Sequence, residues 1–237
     1  MTIADDGSRV VFLRAPGGTD PVNALWVHDV HAGAERLVAD PAQLLGAGGD
    51  DVPPEDRARR ERLREQAGGI VGYAMDPAAT VTSFAPAGRL FLADLLDGGA
   101  VEQPAVVPVI DPRVDPTGSR VGYVADGALH VVDTTGSESR QVAGEDDDAV
   151  TWGAAEFIAA EEMDRSRGFW WAVDGRRPLA ARVDESPRAA PLHRGSAEPR
   201  TETAGDPLSR SRNTQRACHR GRRGPRRKPS RRRVGHR

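Results

Sequence analysis

Two neighbouring acidic residues, Glu161 and Glu162, are the strongest candidates for a binding site in this sequence. They lie in the run 156–165, whose alanines and glutamates favour a helix. An ammonium group offers three hydrogen-bond donors and no acceptor, and charge-assisted bonds to carboxylates are strong. In an enclosed site the two carboxylates would repel each other until a cation arrived. The pair is therefore predicted to recognise a free amino terminus.

A second interpretation of the same residues needs no ligand. The run can form a solvated acidic helix face, with Arg165 and Arg167 as ion-pair partners. Composition alone favours this interpretation, because charged side chains are mostly exposed and surface ion pairs are common.

The sequence does not contain the residue patterns of other common kinds of functional site. The sequence contains no Gly-x-Ser-x-Gly turn, no phosphate loop and a single cysteine, Cys218. His28 and His31 are predicted to lie in one strand on opposite faces, and His130 stands alone, so we expect no histidine metal site. Asp146–Asp148 lack the spaced ligands of a calcium loop. We expect no catalytic residue, metal or cofactor in this chain.

The elements that would carry the acidic pair read as short strands separated by turns. Two segments, which begin at Asp5 and Asp115, share a turn, the run Gly-Ser-Arg-Val, a second strand and a short closing strand. A third copy begins at Asp76, 39 residues before Asp115, and a fourth begins at Trp170. A period near 40 residues with several short strands is typical of a propeller blade. We therefore predict an all-β partial propeller of three blades and the start of a fourth.

Two insertions, at about 41–69 and 143–169, interrupt the repeats, and each is predicted to contain a short helix. The helix of the first insertion is expected over residues 54–65. Because each blade buries its faces only against its neighbours, an incomplete set of blades suggests a fragment of a larger propeller.

The net charge of −2 is the sum of two opposite parts of the chain. Residues 1–185 have a net charge of −15, whereas residues 186–237 have +13 and contain no Phe, Trp, Tyr, Ile or Met. A stretch of this composition cannot build a core. We therefore predict a propeller domain at 1–187 and a disordered, Arg-rich tail at 188–237.

The start of the sequence and its apolar runs predict where in the cell the protein is found. The first residues show no basic start followed by an apolar stretch, which predicts a cytoplasmic protein. No apolar run approaches the roughly 18 residues of a spanning helix, so no membrane partner is expected.

A longer pattern surrounds the acidic pair. Residues 152–171 read WGAAEFIAAEEMDRSRGFWW, and this run resembles the bacterial dipeptidyl peptidase IV branch of the prolyl oligopeptidase family. The runs at 174–177 and 180–185, the segment 69–73 and the blade starts also fit, so the resemblance covers about residues 1–187. It implies an N-terminal β-propeller that caps a C-terminal α/β-hydrolase domain.

The resemblance also implies a role for the pair. Enzymes of this family release dipeptides from peptides with Pro or Ala in second place, and a Glu-Glu pair on the propeller holds the substrate's free amino terminus. By motif, that role falls on Glu161 and Glu162. Anchoring the amine would place the scissile bond a set distance along the peptide.

The sequence departs from the family pattern in three places. The hydrolase domain, with its triad and oxyanion hole, is not found in these residues, so we predict no peptidase activity for the chain alone. Val173 replaces the Pro that usually precedes Asp-Gly. Pro178 is predicted inside the following strand, where its missing N–H is costly.

A frameshift near Arg188 would account for the tail. The codons that encode residues 192–196 and 206–219 permit, in a shifted frame, strings that look like the family's continuation. The shift would explain the excess of arginine, the loss of aromatic residues and the reversal of charge together.

Three alternatives remain open for function. In the first, the chain is a non-catalytic propeller module that docks a peptide or a separately encoded hydrolase domain. In the second, it binds nucleic acid through the basic tail. In the third, it is a nonfunctional product. Contacts from the tail to phosphates would not discriminate between nucleic-acid sequences, and the tail has no aromatic residue to stack on bases. Nucleic acid is therefore a less favoured partner than a peptide. The oligomeric state is not predicted.

Overall fold

The computed structural model describes residues 1–18, 20–46, 68–136, 138–163 and 165–186. The side chains of Phe157 and Glu161 are not among the described groups. The predicted helix at 54–65 and the predicted tail at 188–237 lie outside the described residues.

Three sheets follow one another along the chain, and each has four antiparallel strands in sequence order. The first sheet contains β1 (Thr2–Ile3), β2 (Arg9–Arg14), β3 (Val22–Asp29) and β4 (Ala34–Ala39). The second contains β6 (Tyr73–Met75), β7 (Val81–Phe84), β8 (Phe91–Asp94) and β9 (Ala100–Glu102). The third contains β10 (Ile110–Val114), β11 (Arg120–Ala125), β12 (Ala128–Asp133) and β13 (Arg140–Ala143). These sheets are blades 1, 2 and 3 of the fold.

Blade 4 is built of two separate strand pairs. In one pair β14 (Val150–Trp152) lies antiparallel to β17 (Arg182–Asp184), and in the other β15 (Phe169–Trp171) lies antiparallel to β16 (Pro178–Ala180). The all-β partial propeller of three blades and the start of a fourth is thus confirmed.

Short elements lie between the blades. Helix α1 (Pro41–Leu45) begins after Asp40, whose carboxylate accepts the N–H of Ala42. The two-residue strand β5 (Gly68–Gly69) runs parallel to β3 at its start. Helix α2 (Phe157–Glu162) lies between β14 and β15, within the run 156–165 where the sequence predicts a helix.

Three details of the sequence prediction were wrong. The first strands of blades 1, 2 and 3, β1, β6 and β10, were not predicted, because they are only two to five residues long and carry no alternation. His31 lies in the turn after β3, so it does not share the strand of His28. Pro178 is the first residue of β16, a position where proline is tolerated in strands, so its cost is avoided.

Each blade has the same hydrogen-bonded turn, which lies between the first two strands of blades 1, 2 and 3 and between β15 and β16 of blade 4. In blade 3 the buried carboxylate of Asp115 accepts the N–H groups of Ser119 at 2.7 Å and Arg120 at 2.9 Å, and the hydroxyl of Thr117 at 2.6 Å. In blade 2 the buried Asp76 accepts the N–H groups of Thr80 and Val81, both at 2.7 Å. These carboxylates satisfy backbone donors that the tight turn leaves unpaired.

Blades 1 and 4 close the same turn with an alanine. The N–H of Ala4 donates to Arg9 at 2.9 Å and the N–H of Ala172 donates to Arg177 at 2.8 Å, in the pattern that Asp115 makes with Arg120. The third residue after each of these positions has a positive φ, for example 65° at Gly175. The repeat is therefore a backbone geometry, which tolerates different residues at its first position.

Consecutive turns also contact each other across blades. The N–H of Asp5 donates to the carbonyl of Pro77 at 2.8 Å, and the guanidinium of Arg120 donates to the carbonyl of Gly175 at 3.2 Å. A Cβ on Gly175 would overlap the carboxylate of Asp115. The turns thus fix the position of each blade relative to the next.

The core consists of apolar layers between neighbouring blades. Side chains of blades 1 and 2, such as Leu25 and Phe84, share one cluster. Leu92 of blade 2 packs in a second cluster with Tyr123 of blade 3, and Leu129 of blade 3 packs with Phe169 of blade 4 in a third. Every layer needs two blades, as expected for a repeat that cannot bury its faces alone.

Substitution of Asp115 tests the role of the turn carboxylate. Asp115→Ala leaves two backbone N–H groups of a buried turn without an acceptor, so the free energy of unfolding should fall by about 2–4 kcal/mol. Urea unfolding of the full chain measures this. Asp97→Ala, at an exposed turn position, should change stability by no more than about 0.5 kcal/mol. Equal effects of the two substitutions would contradict the role given to Asp115.

The buried His130 predicts a loss of stability in acid. Its ring stacks on Tyr123 at 5.3 Å between centroids, and burial lowers its pKa below the ordinary 6.5, although a backbone hydrogen bond at Ala125 and the charge of Asp126 oppose the shift. In the unfolded chain His130 binds a proton near pH 6.5, whereas in the folded chain it binds one only at lower pH. Stability is therefore fully present above pH 6.5 and falls as the pH drops towards the lowered pKa.

Urea unfolding at pH 7.5 and 5.5 checks this dependence. His130→Phe keeps an aromatic ring against Tyr123 and removes the titrating group, so it should lose less stability between the two pH values than the parent chain. The losses of unfolding free energy in the parent chain and in the variant should differ by at most about 1.4 kcal/mol per pH unit. His31→Gln, in an exposed turn, should keep the parent's pH dependence. If His130→Phe keeps it too, the account of His130 is wrong.

Candidate functional site

The acidic pair lies on a short arm between two strands of blade 4. The arm comprises residues 153–168 and contains helix α2, which ends where the N–H of Met163 donates to the carbonyl of Ala159. Ala159 is fully buried, whereas Ile158 and Met163 are 60% and 70% exposed. One side of the helix is therefore packed and the other faces outward.

Glu162 is exposed at the end of α2. Neither arginine predicted as its partner bonds to it: Arg165 pairs with Glu156 at 3.6 Å, and Nε of Arg167 donates to the carbonyl of Phe169 at 2.7 Å. Within the described residues, no ion pair engages the carboxylate of Glu162. Glu161 lies in the same helix, one residue before it.

Two glycines allow the arm to return close to its start. The N–H of Gly153 donates to the carbonyl of Ala181 at 2.9 Å, and the N–H of Ala181 donates to the carbonyl of Gly168 at 2.8 Å. A Cβ on Gly168 would overlap the backbone of Gly153 and Ala154. The two ends of the arm therefore leave blade 4 side by side, and α2 lies in the loop between them.

Blade 4 is tied to blade 3 beneath the arm. The indole N–H of Trp171 donates to the carbonyl of Arg113 at 3.0 Å, and Phe169 is fully buried. A Cβ on Gly122 would come within 2.8 Å of the Phe169 ring, so this approach requires glycine. The Trp-Trp sequence after the acidic pair thus serves to fix the arm on the propeller.

A second anchor joins Trp152, at the start of the arm, to β17 through Glu145. Arg182 of β17 donates from Nε and Nη2 to the two carboxylate oxygens of Glu145, at 2.6 and 2.8 Å. The indole N–H of Trp152 donates to the same carboxylate at 3.2 Å. The hydrogen bond from Arg182 lowers the pKa of Glu145, which stays ionised.

A cleft lies between blades 2 and 3, and the arm contributes to its wall. Its volume is about 200 Å³, and its lining includes Tyr73, Val109, Asp111, Arg113 and Ser166. Ser166 follows Glu162 by four residues, so the lining of the cleft and the acidic pair belong to one segment. No sequence pattern predicts this cleft, because it arises where two blades meet.

The other candidate residues do not form a site together. Asp147 accepts the N–H of Ala149 at 2.9 Å in a turn before β14, and His130 is buried in blade 3. Across the described ranges, His, Cys, Asp and Glu side chains form no group of three that could hold a metal ion. No helix in the described part of the chain is long and apolar enough to cross a membrane.

The family comparison covers the part of the chain that carries this arm. Residues 86–192 match the family model described as the dipeptidyl peptidase IV N-terminal region. The match includes blade 3, both strand pairs of blade 4 and the acidic pair, and it ends shortly after residue 187, where the composition changes. The predicted resemblance is confirmed: residues 86–192 of this chain are similar to the dipeptidyl peptidase IV N-terminal region.

Proposed function

We propose that this chain is the propeller part of a dipeptidyl peptidase IV-like serine peptidase, and that Glu161 and Glu162 anchor the free amino terminus of a peptide. The observation that carries the proposal is the family match over an arm that presents the acidic pair on a short helix. The carboxylate of Glu162 supports it, because among the described residues Arg165 and Arg167 bond to other groups and no arginine forms an ion pair with it.

The chemistry of the ligand fits two adjacent carboxylates. A peptide's α-amino group has a pKa near 8 and is mostly protonated at pH 7. Its three N–H donors can divide between two carboxylates, each bond being charge-assisted. An acetylated amino terminus loses the charge and keeps only one N–H donor, so it would bind more weakly. By holding the amine, the pair would keep the second peptide bond of the substrate at a fixed distance from this site, where cleavage would take place.

The cleavage itself needs groups from elsewhere. In the family the nucleophile, the base and the oxyanion hole belong to an α/β-hydrolase domain, and residues 1–237 contain no Gly-x-Ser-x-Gly turn. The 237 residues alone should therefore bind a peptide without hydrolysing it. The partners of this chain are then the amino terminus of a peptide and a hydrolase domain supplied outside these residues.

Peptide binding by the full chain tests the anchor. In an NMR or calorimetric titration, Ala-Pro-Ala should bind saturably, and its N-acetylated form should bind at least about tenfold more weakly because it loses charged hydrogen bonds. Glu161→Gln and Glu162→Gln should each weaken binding of the free-amine peptide by about 10- to 100-fold.

Glu138→Gln is the matched control, since Glu138 is an exposed glutamate in the loop before β13. It should leave the affinity unchanged. Equal affinity for the free and acetylated peptides, or parental affinity in both Gln variants with an unchanged thermal melt, would refute the anchor.

We also propose that residues 188–237 are read out of frame. The reversal of charge at this point and the end of the family match at residue 192 support the proposal. Resequencing the gene around codon 188 tests it. A one-base shift should restore family-like sequence that continues into a hydrolase domain; a confirmed reading frame with no hydrolase-coding sequence downstream would rule the frameshift out.

A further inference from the structure

The cleft between blades 2 and 3 brings a charged pair together with polar and apolar side chains. Its walls come from β6 and the segment before it, from β10 and from the end of the arm, and they include Val71, Tyr73, Ala85, Val109 and Ser166. Asp111 and Arg113 supply the charges. Most of the lining surface is polar, so the cleft suits a ligand that carries charge and hydrogen-bonding groups.

Asp111 and Arg113 form a two-point ion pair within β10. Nε of Arg113 donates to one carboxylate oxygen of Asp111 at 2.9 Å, and Nη2 lies 2.8 Å from the other. Both side chains are about three-quarters buried, with exposed fractions of 25% and 22%. The register of β10 against β11 shifts at this point, and Asp111 has a φ of 48°. Bulges of this kind often turn side chains towards a site.

The charges at the cleft do not balance. Arg167 lies close enough for the charges of Arg113 and Asp111 to affect its pKa, which burial lowers first and Arg113 lowers further. Arg167 directly follows Ser166 of the cleft lining and donates to the carbonyl of Phe169, and no described carboxylate forms an ion pair with it. Nη1 of Arg113 and the terminal nitrogens of Arg167 keep donors that no described side chain accepts. The cluster can accept one more negative charge.

We propose that this cleft binds the carboxylate of a short peptide, with Arg113 as the direct ligand and Arg167 as the second positive charge. The bidentate fork of a guanidinium fits a carboxylate, and the carboxylate of Asp111 occupies that fork within the chain. A dipeptide carries both an ammonium and a carboxylate, so it would use the acidic pair and the cleft, which lie on one segment. The identity of the ligand rests on the proposed function, whereas the carboxylate site does not.

Opposite effects of two substitutions test the proposal. Asp111→Asn removes the competing charge and keeps the shape, so the affinity of the full chain for the dipeptide Ala-Pro should rise by about tenfold. Arg113→Gln removes the ligand, so the affinity should fall by about tenfold or more. Calorimetric titration measures both, and thermal melting shows whether each variant is folded.

A second carboxylate–guanidinium fork provides matched controls. Arg89 and Glu102 form a two-point pair on blade 2, away from the arm. Glu102→Gln and Arg89→Gln should therefore leave the affinity for Ala-Pro unchanged. A purely structural role for the Asp111–Arg113 pair predicts instead that both of its variants lose stability and keep the parental affinity, and that result would overturn the proposal.

Two blocked dipeptides separate this site from the amine anchor. Ala-Pro-amide lacks the carboxylate, so Arg113→Gln should not change its binding; N-acetyl-Ala-Pro lacks the amine but should still bind in an Arg113-dependent way. If Glu162→Gln has no effect while Arg113→Gln weakens N-acetyl-Ala-Pro, the amine anchor is wrong and the carboxylate site holds. If Arg113→Gln has no effect on any ligand in a folded variant, the carboxylate site is wrong.

Discussion

The burial of each sheet against the next is the interaction on which the rest of the structure depends. No blade has a core of its own, since Phe84, Tyr123 and Phe169 each pack in a layer shared with a neighbouring blade. The turn carboxylates of Asp76 and Asp115 are buried at the edges of these layers and satisfy backbone donors there. Hydrophobic burial therefore sets the stacking of the blades, while polar turns set their position.

The arm of residues 153–168 depends on this stacking. Its two ends leave blade 4 side by side because glycine permits close backbone approach, and blade 4 is held by the bond from Trp171 to the backbone of blade 3. A helix of six residues has little stability alone, so its geometry must come from these anchors. The direction in which Glu162 points is thus a property of the interface between two blades.

The sequence predicted the repeat, the strands and the helix because each has a local signal. The Gly-Ser-Arg-Val run, the 39-residue spacing and the Ala- and Glu-rich run 156–165 all correspond to observed elements. The first strands of blades 1, 2 and 3 lacked such a signal, because they are short and form only by pairing with the next strand. The cleft beside Arg113 could not be predicted either, because its walls come from residues 71–113 and from Ser166, which only the stacking of blades brings together.

The central claim is that the acidic pair holds a peptide amine from a propeller scaffold. The most direct measurement is a crystal structure of the full chain grown with a saturating tripeptide that has a free amino terminus and proline in second place. The account predicts the amine nitrogen within hydrogen-bond distance of the carboxylates of Glu161 and Glu162, with the arm still seated on Trp171. A peptide whose amine lies in solvent, or on another part of the propeller, would contradict it.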